Sequence, residues 1–110
     1  LSSHEMYQLS EIYLMRGENP LPVFQKAYEQ FPEDVVVTLN YANALLKYGK
    51  KADGALRVLS DVRNDSRALF PMAVAYHIKG DWRKAEELLK EAYKQGDDRA
   101  RAFYGEDAYE

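Results

Sequence analysis

The side chains able to do chemistry are few, and their spacing argues against a reaction centre. His4 and His77 are the only histidines, they lie far apart, and no cysteine accompanies either. A zinc site takes three or four ligands at suitable spacing, so both histidines read as surface or groove side chains and no metal is expected. Glu86, Glu87 and Glu91 interleave with Lys84, Lys90 and Lys94, the arrangement of a solvated helix face carrying i,i+4 pairs. Catalytic carboxylate pairs need an apolar pocket that separates their pKa values, and no stretch marks one. Gly17, Gly49 and Gly80 stand singly, so no glycine-rich phosphate loop is present. Trp82 is the one tryptophan; it could anchor a partner, but at the start of a helix it is expected to pack on the adjoining turn. No catalytic residue and no cofactor is expected, and the chain reads as non-enzymatic.

The totals narrow the class further. The 110 residues make one domain's worth of chain, 46% apolar and 30% charged. A net charge of −3 gives no general attraction for nucleic acid or anionic lipid. No apolar run approaches the ~20 residues of a membrane span, so direct membrane insertion is not expected. The absence of cysteine leaves the compartment open between cytoplasm and bacterial periplasm. The chain starts at Leu1 with no charged-then-apolar leader, as a processed protein or a piece of a longer one would.

What must position any functional surface is a set of helices. Leu69, Met72, Ala73 and Tyr76 fall on one helical face, with Asp65 or Ser66 as cap. Pro71, tolerated in a first turn but poor further in, leaves room for this helix to start as late as Leu69 or Phe70. Gly80 stops it. Asp81 caps a partner helix whose inward residues are Ala85, Leu88, Leu89 and Ala92, and Gly96 ends that one.

The earlier chain repeats this unit. Ser2 and Glu5 form a capping box before Met6, Leu9, Ser10 and Tyr13. Gly17 ends that helix, Asn19–Pro20 opens the next, and Val23, Phe24, Ala27 and Tyr28 make its inward stripe up to Phe31 and Pro32. Glu33 or Asp34 then caps a helix bearing Thr38, Tyr41, Ala42 and Leu45, stopped at Gly49. Its partner is expected from about Lys51 to Asn64, with Ala55, Leu56, Leu59 and Val62 inward. Gly17, Gly49 and Gly80 are 32 and 31 residues apart, an internal repeat. Beyond Gly96 a short helix is expected over about 98–104. Ala102, Phe103 and Tyr104 would close the open end, either as a cap or as the opening of a fourth unit, before Gly105 and an acidic tail that frays.

This period, helix pair and face pattern resemble the tetratricopeptide repeat. The third unit carries the resemblance through Leu69, Met72, Ala73, Tyr76, Gly80, Ala85, Leu89 and Ala92. The second carries it through Tyr41, Ala42, Leu45, Gly49, Ala55 and Leu59, with one extra residue in its turn. The first carries it through Leu9, Ser10, Tyr13, Gly17, Phe24, Ala27 and Pro32, with a shortened turn. Met6, Thr38 and Leu69 stand where the family often has Trp, and the closing Pro is present only at Pro32. The resemblance implies an all-α single domain over 1–110: repeats at about 2–32, 33–64 and 65–96 plus the C-terminal helix, stacked as a right-handed superhelix (an α-solenoid).

It also implies a concave side lined by the first helix of each pair. Helical geometry puts Tyr7, Glu11 and Leu14 there from the first unit, Leu39, Asn43, Leu46 and Lys47 from the second, and Phe70, Val74 and His77 from the third. So apolar a row fits a groove for an apolar or aromatic peptide. It fits equally a face covered by a neighbouring unit, by the C-terminal segment or by further parent chain, or a register displaced by one residue. Some family members hold a peptide's terminal carboxylate with a Lys, Asn and Arg set. Only Asn40 and Arg67 match it; Tyr7, Glu11 and Pro71 do not, so that mode is not expected. Tyr13, Tyr41 and Tyr76 are expected in the core, with Tyr104 and Tyr109 as surface contacts. The expectation is a protein or peptide partner of unknown identity, in an assembly such as an envelope, secretion or polysaccharide-export machine. Self-association, or service as the accessory domain of an enzyme, are the alternatives.

Overall fold

Asp34, Asp65, Asp81 and Ser2 start helices because each accepts backbone N–H groups that a first turn leaves free. The computed structural model describes residues 2–104, apart from the side chains of Ser3, Arg101, Phe103 and Tyr104. The described residues form seven α-helices and no strand: α1 (Ser3–Met15), α2 (Leu21–Gln30), α3 (Val35–Tyr48), α4 (Ala52–Leu59), α5 (Leu69–Lys79), α6 (Trp82–Lys94) and α7 (Asp98–Tyr104). The capping box at Ser2 is complete, with its hydroxyl accepting from the Glu5 N–H at 3.2 Å and Glu5 Oε1 accepting from the Ser2 N–H at 3.1 Å. Of the alternatives Glu33 and Asp34, it is Asp34 that accepts from Val36 and Val37. Asp65 rather than Ser66 accepts from Arg67, at 2.9 Å. A 3-10 turn at Ser66–Ala68 then lets α5 begin at Leu69, so that the buried Pro71 sits in its first turn.

Two boundaries differ from the expected ones. Pro20 is itself the cap of α2, and Asn19 Oδ1 accepts from the Leu21 N–H at 2.9 Å, so the helix starts one residue late. The fourth helix stops at Leu59 instead of Asn64 and runs on as a 3-10 turn over Ser60–Val62. There the Ser60 hydroxyl donates to the Arg57 carbonyl at 2.6 Å, a local bond that competes with the helical ladder.

The helix stops are of two kinds. Gly17 and Gly80 are left-handed at φ +72° and +83°, and Gly96 does the same after α6. In each case the next N–H returns to a carbonyl five residues back: Glu18 to Tyr13, Asp81 to Tyr76 and Asp97 to Ala92. Gly49 is not of this kind. Its φ is −118°, and the left-handed residue is Lys50 at +48°. The Lys51 N–H reaches six residues back to Leu45 at 3.0 Å, which absorbs the extra residue in this turn. Glycine serves position 49 by close approach, because a Cβ there would meet the Leu45 carbonyl oxygen at 3.2 Å.

Each helix packs chiefly on its neighbours in sequence, and α3 also touches α5. The molecule is elongated, 43 × 29 × 23 Å with a radius of gyration of 14.4 Å, against roughly 13 Å for a compact chain of this length. The apolar interior is correspondingly divided. Met6, Val23, Ala27 and Val37 join α1–α2 to α3. A central cluster contains Ala42, Leu45, Ala55 and Leu59 with Ala68 and Ala75 of the following pair. Ala73, Leu89 and Ala92 form the third, closed by Ala100. That closure corrects one expectation: Ala102 is exposed and Ala100 is the buried residue. Phe103 and Tyr104, expected to help, lie outside the described side chains, as Gly105, the tail and Tyr109 lie outside the described residues. Tyr13, Tyr41 and Tyr76 are half-buried and not core; Tyr13 and Tyr41 pack at the rims of the first and central clusters.

Candidate functional site

The row expected to line a groove is divided by burial. Leu39 and Leu46 are only 8% and 6% exposed and belong to the central cluster with Ala68 and Ala75. The expectation that they face a groove is therefore corrected. Small residues at 68 and 75 let α5 close onto this side of α3, and Val74 packs on the same cluster. Phe70 packs with Leu69 and Leu88 on the third cluster, and the Arg99 guanidinium from α7 lies over its ring at 4.7 Å, a cation–π contact. The neighbouring helix pair and the C-terminal helix thus both cover part of the row. Glu11 and Leu14 remain exposed, while Tyr7, Asn43 and His77 are half-buried.

Tyr7 is bound up in holding helices together. Its ring meets Phe24 of α2 edge-on at 6.2 Å, and its hydroxyl accepts a hydrogen bond from the Asn40 side chain of α3. Burial pushes the Tyr7 phenol above its ordinary pKa, helped by the negative charge of Asp34 and opposed by Asn40. The two residues matching a carboxylate-binding set are both engaged. Asn40 serves Tyr7, and Arg67 Nε and Nη2 grip the Asp65 carboxylate at 2.9 and 2.8 Å. The guanidinium of Arg67 holds the Asp65 carboxyl down to about 2.

The exposed apolar surface lies one residue further along the same helices. Met15 is 86% exposed and adjoins Leu14; Ile78 is 41% exposed and adjoins His77. By the repeat, position 47 is their equivalent in α3, and there Lys47 stands 5.4 Å above the Tyr48 ring. Trp82, expected to pack on its turn, is instead 59% exposed, with its indole edge-to-face on His77 at 4.5 Å. A cleft of about 360 Å³ lined by Leu14, Gly17, Glu18, Asn19, Pro20 and Tyr48 joins the end of α1 to the end of α3. Leu14, His77 and Lys47 were legible in the helical row. Met15 and Ile78 were missed, and their signal was the same row displaced by one position.

Among the described residues no three His, Cys, Asp or Glu side chains converge as metal ligands. No described helix is long and apolar enough to cross a membrane. No family model, no curated protein and no solved structure matches this chain.

Proposed function

We propose that this chain is a non-enzymatic interaction scaffold of the tetratricopeptide kind: three stacked helix pairs and a C-terminal helix forming a right-handed superhelical segment that holds a protein partner. The observation that carries this reading is a set of exposed apolar side chains, here called the ledge: Leu14 and Met15 at the end of α1, Ile78 at the end of α5 and Trp82 at the start of α6. Exposed apolar side chains grouped on one face mark contacts. Trp82 has the character of an anchor, since its ring is steadied by His77 while most of it faces outward. The partner this suits is an extended or helical segment presenting apolar side chains along the ledge and an acidic group toward Lys47. A role within a longer array in a multiprotein envelope, secretion or export assembly rests on the family analogy alone.

The test is a photo-crosslinking amino acid placed at Met15, at Trp82 and, as control, at the exposed Glu86 of α6 in cells expressing the protein. Adducts from 15 and 82 but not 86 are expected. Equal labelling from 86, or none from the ledge, sinks the reading. Adducts at twice the chain mass identify self-association in its place.

A further inference from the structure

The junction between the first two helix pairs shows what kind of group the N-terminal side of a pair accepts. Tyr28, in the last turn of α2, lies stacked on Tyr41 of α3 with ring centroids 5.1 Å apart. Its hydroxyl donates to Asp61 Oδ2, just past α4, at 3.4 Å. Tyr41, Arg57, Val58 and Asp61 form the second pair's side of this cleft. In the first pair, the same positions of the repeat are Leu9, Pro22, Val23 and Lys26. Those four, with Met6 and Tyr13, line an apolar cavity of about 190 Å³. It is the counterpart of the seat that Tyr28 occupies one unit later. At that volume it has room for one side chain and falls below the roughly 300–1,000 Å³ of small-molecule sites.

The rest of this face does not repeat the internal junctions. Val37 packs with residues of α1 and α2, and Ala68 and Ala75 pack with residues of α3 and α4; Ala44, which corresponds to Ala75 in the repeat, is buried as well. Their equivalents on α1 are Glu5, held in the capping box, and Ile12, 44% exposed. A charge and a branched side chain there keep a further helix pair from packing closely on this side of α1 in the way the internal pairs do. The seat between α1 and α2 is what remains.

We propose that this cavity is a second docking site, distinct from the ledge, for the last turn of a partner's amphipathic helix that inserts one aromatic side chain. The change from Asp61 to Lys26 sets the polarity of the partner. Asp61 accepts from a phenol, whereas the Lys26 ammonium can only donate, so a carboxylate beside the aromatic residue offers it a charged acceptor, the stronger kind of partner. The occupant is a helix ending in an aromatic–acidic pair, the combination that Tyr28 and Glu29 present within α2 itself.

The methionines allow a direct test on the full 110-residue chain. Met6 lines the cavity, Met15 lies on the ledge and Met72 belongs to α5, so methyl-13C methionine spectra report three places at once. The probe is a synthetic peptide reproducing residues 19–34, which carries Tyr28 and Glu29. The Met6 methyl should shift on titration while those of Met15 and Met72 hold still. A peptide with Tyr28→Ala should bind roughly tenfold more weakly, the loss expected for one buried aromatic. Lys26→Glu in the protein, an exposed change that leaves the fold intact by circular dichroism, should weaken the unmodified peptide several-fold. An unmoved Met6 at millimolar peptide overturns the proposal. So do shifts at Met15 instead, or equal binding by the two peptides.

Discussion

Leu39 of α3 and Leu14 of α1 are the same residue type and were expected on the same concave row, yet the first is core and the second surface. Helical geometry decides which way a side chain points relative to its own helix. It says nothing about which other helix arrives, and for Leu39 the deciding residues are Ala68 and Ala75, some thirty positions on. The same gap explains Trp82. Its place at the start of α6 was legible, but its exposure depends on which groups reach it, and of its ring His77 takes only one side. Stability should follow burial and not residue size. Leu89, fully buried in the third cluster, should cost about 2–5 kcal/mol on truncation to Ala. Trp82→Ala should cost within about 1 kcal/mol, since most of its area is already wet. Urea denaturation of both variants checks the ranking; a larger loss at Trp82 would mean that the ring supports the turn after all.

Helix existence, order and period were legible because caps and glycine stops are local signals. The places where boundaries moved are places where a local bond competes, as Ser60 does in α4 and Asn19 does before α2. The caps also give the molecule a pH response. Asp65 and Asp97 each pair with the arginine two residues on, and both carboxyls are held below their ordinary value, Asp65 to about 2 from 3.8. The unfolded chain therefore binds more protons than the folded one between these values. The stability these pairs contribute is complete above the unfolded carboxylate range and fades as the pH falls toward about 2. Thermal melts from about pH 5 down to about pH 2 should show this decline, and Asp65→Asn should be less stable than the native chain at the upper end while its own curve is flatter. Parallel curves for the two proteins would exclude Asp65 as a contributor.

At the scale of the whole molecule, packing runs mainly from each helix to the next, with the central cluster drawing on α3, α4 and α5. Local opening should follow that distribution. Backbone amides of α3 and α4 are expected to exchange with solvent most slowly, and those of the first turn of α1 and of α7 fastest. Protection of α7 equal to that of α4 would show that the whole described chain opens as one unit. The division of the core into three was not legible beforehand, because the repeat predicts like units and not how deeply neighbours share residues.

The turn after α3 stands apart from the others: Gly49 bends without turning left-handed, Lys50 does so in its place, and Lys51 reaches back six residues. Under tension applied to the two ends, this turn is expected to part last, because the packing on either side of it is shared. It holds its geometry with a strained non-glycine residue, and it sits between the two helices that carry the central cluster. A chain pulled in an optical trap should therefore yield first at its outer pairs and last across this seam. Once the seam parts, nothing of the central cluster is left to guide α4 back into place.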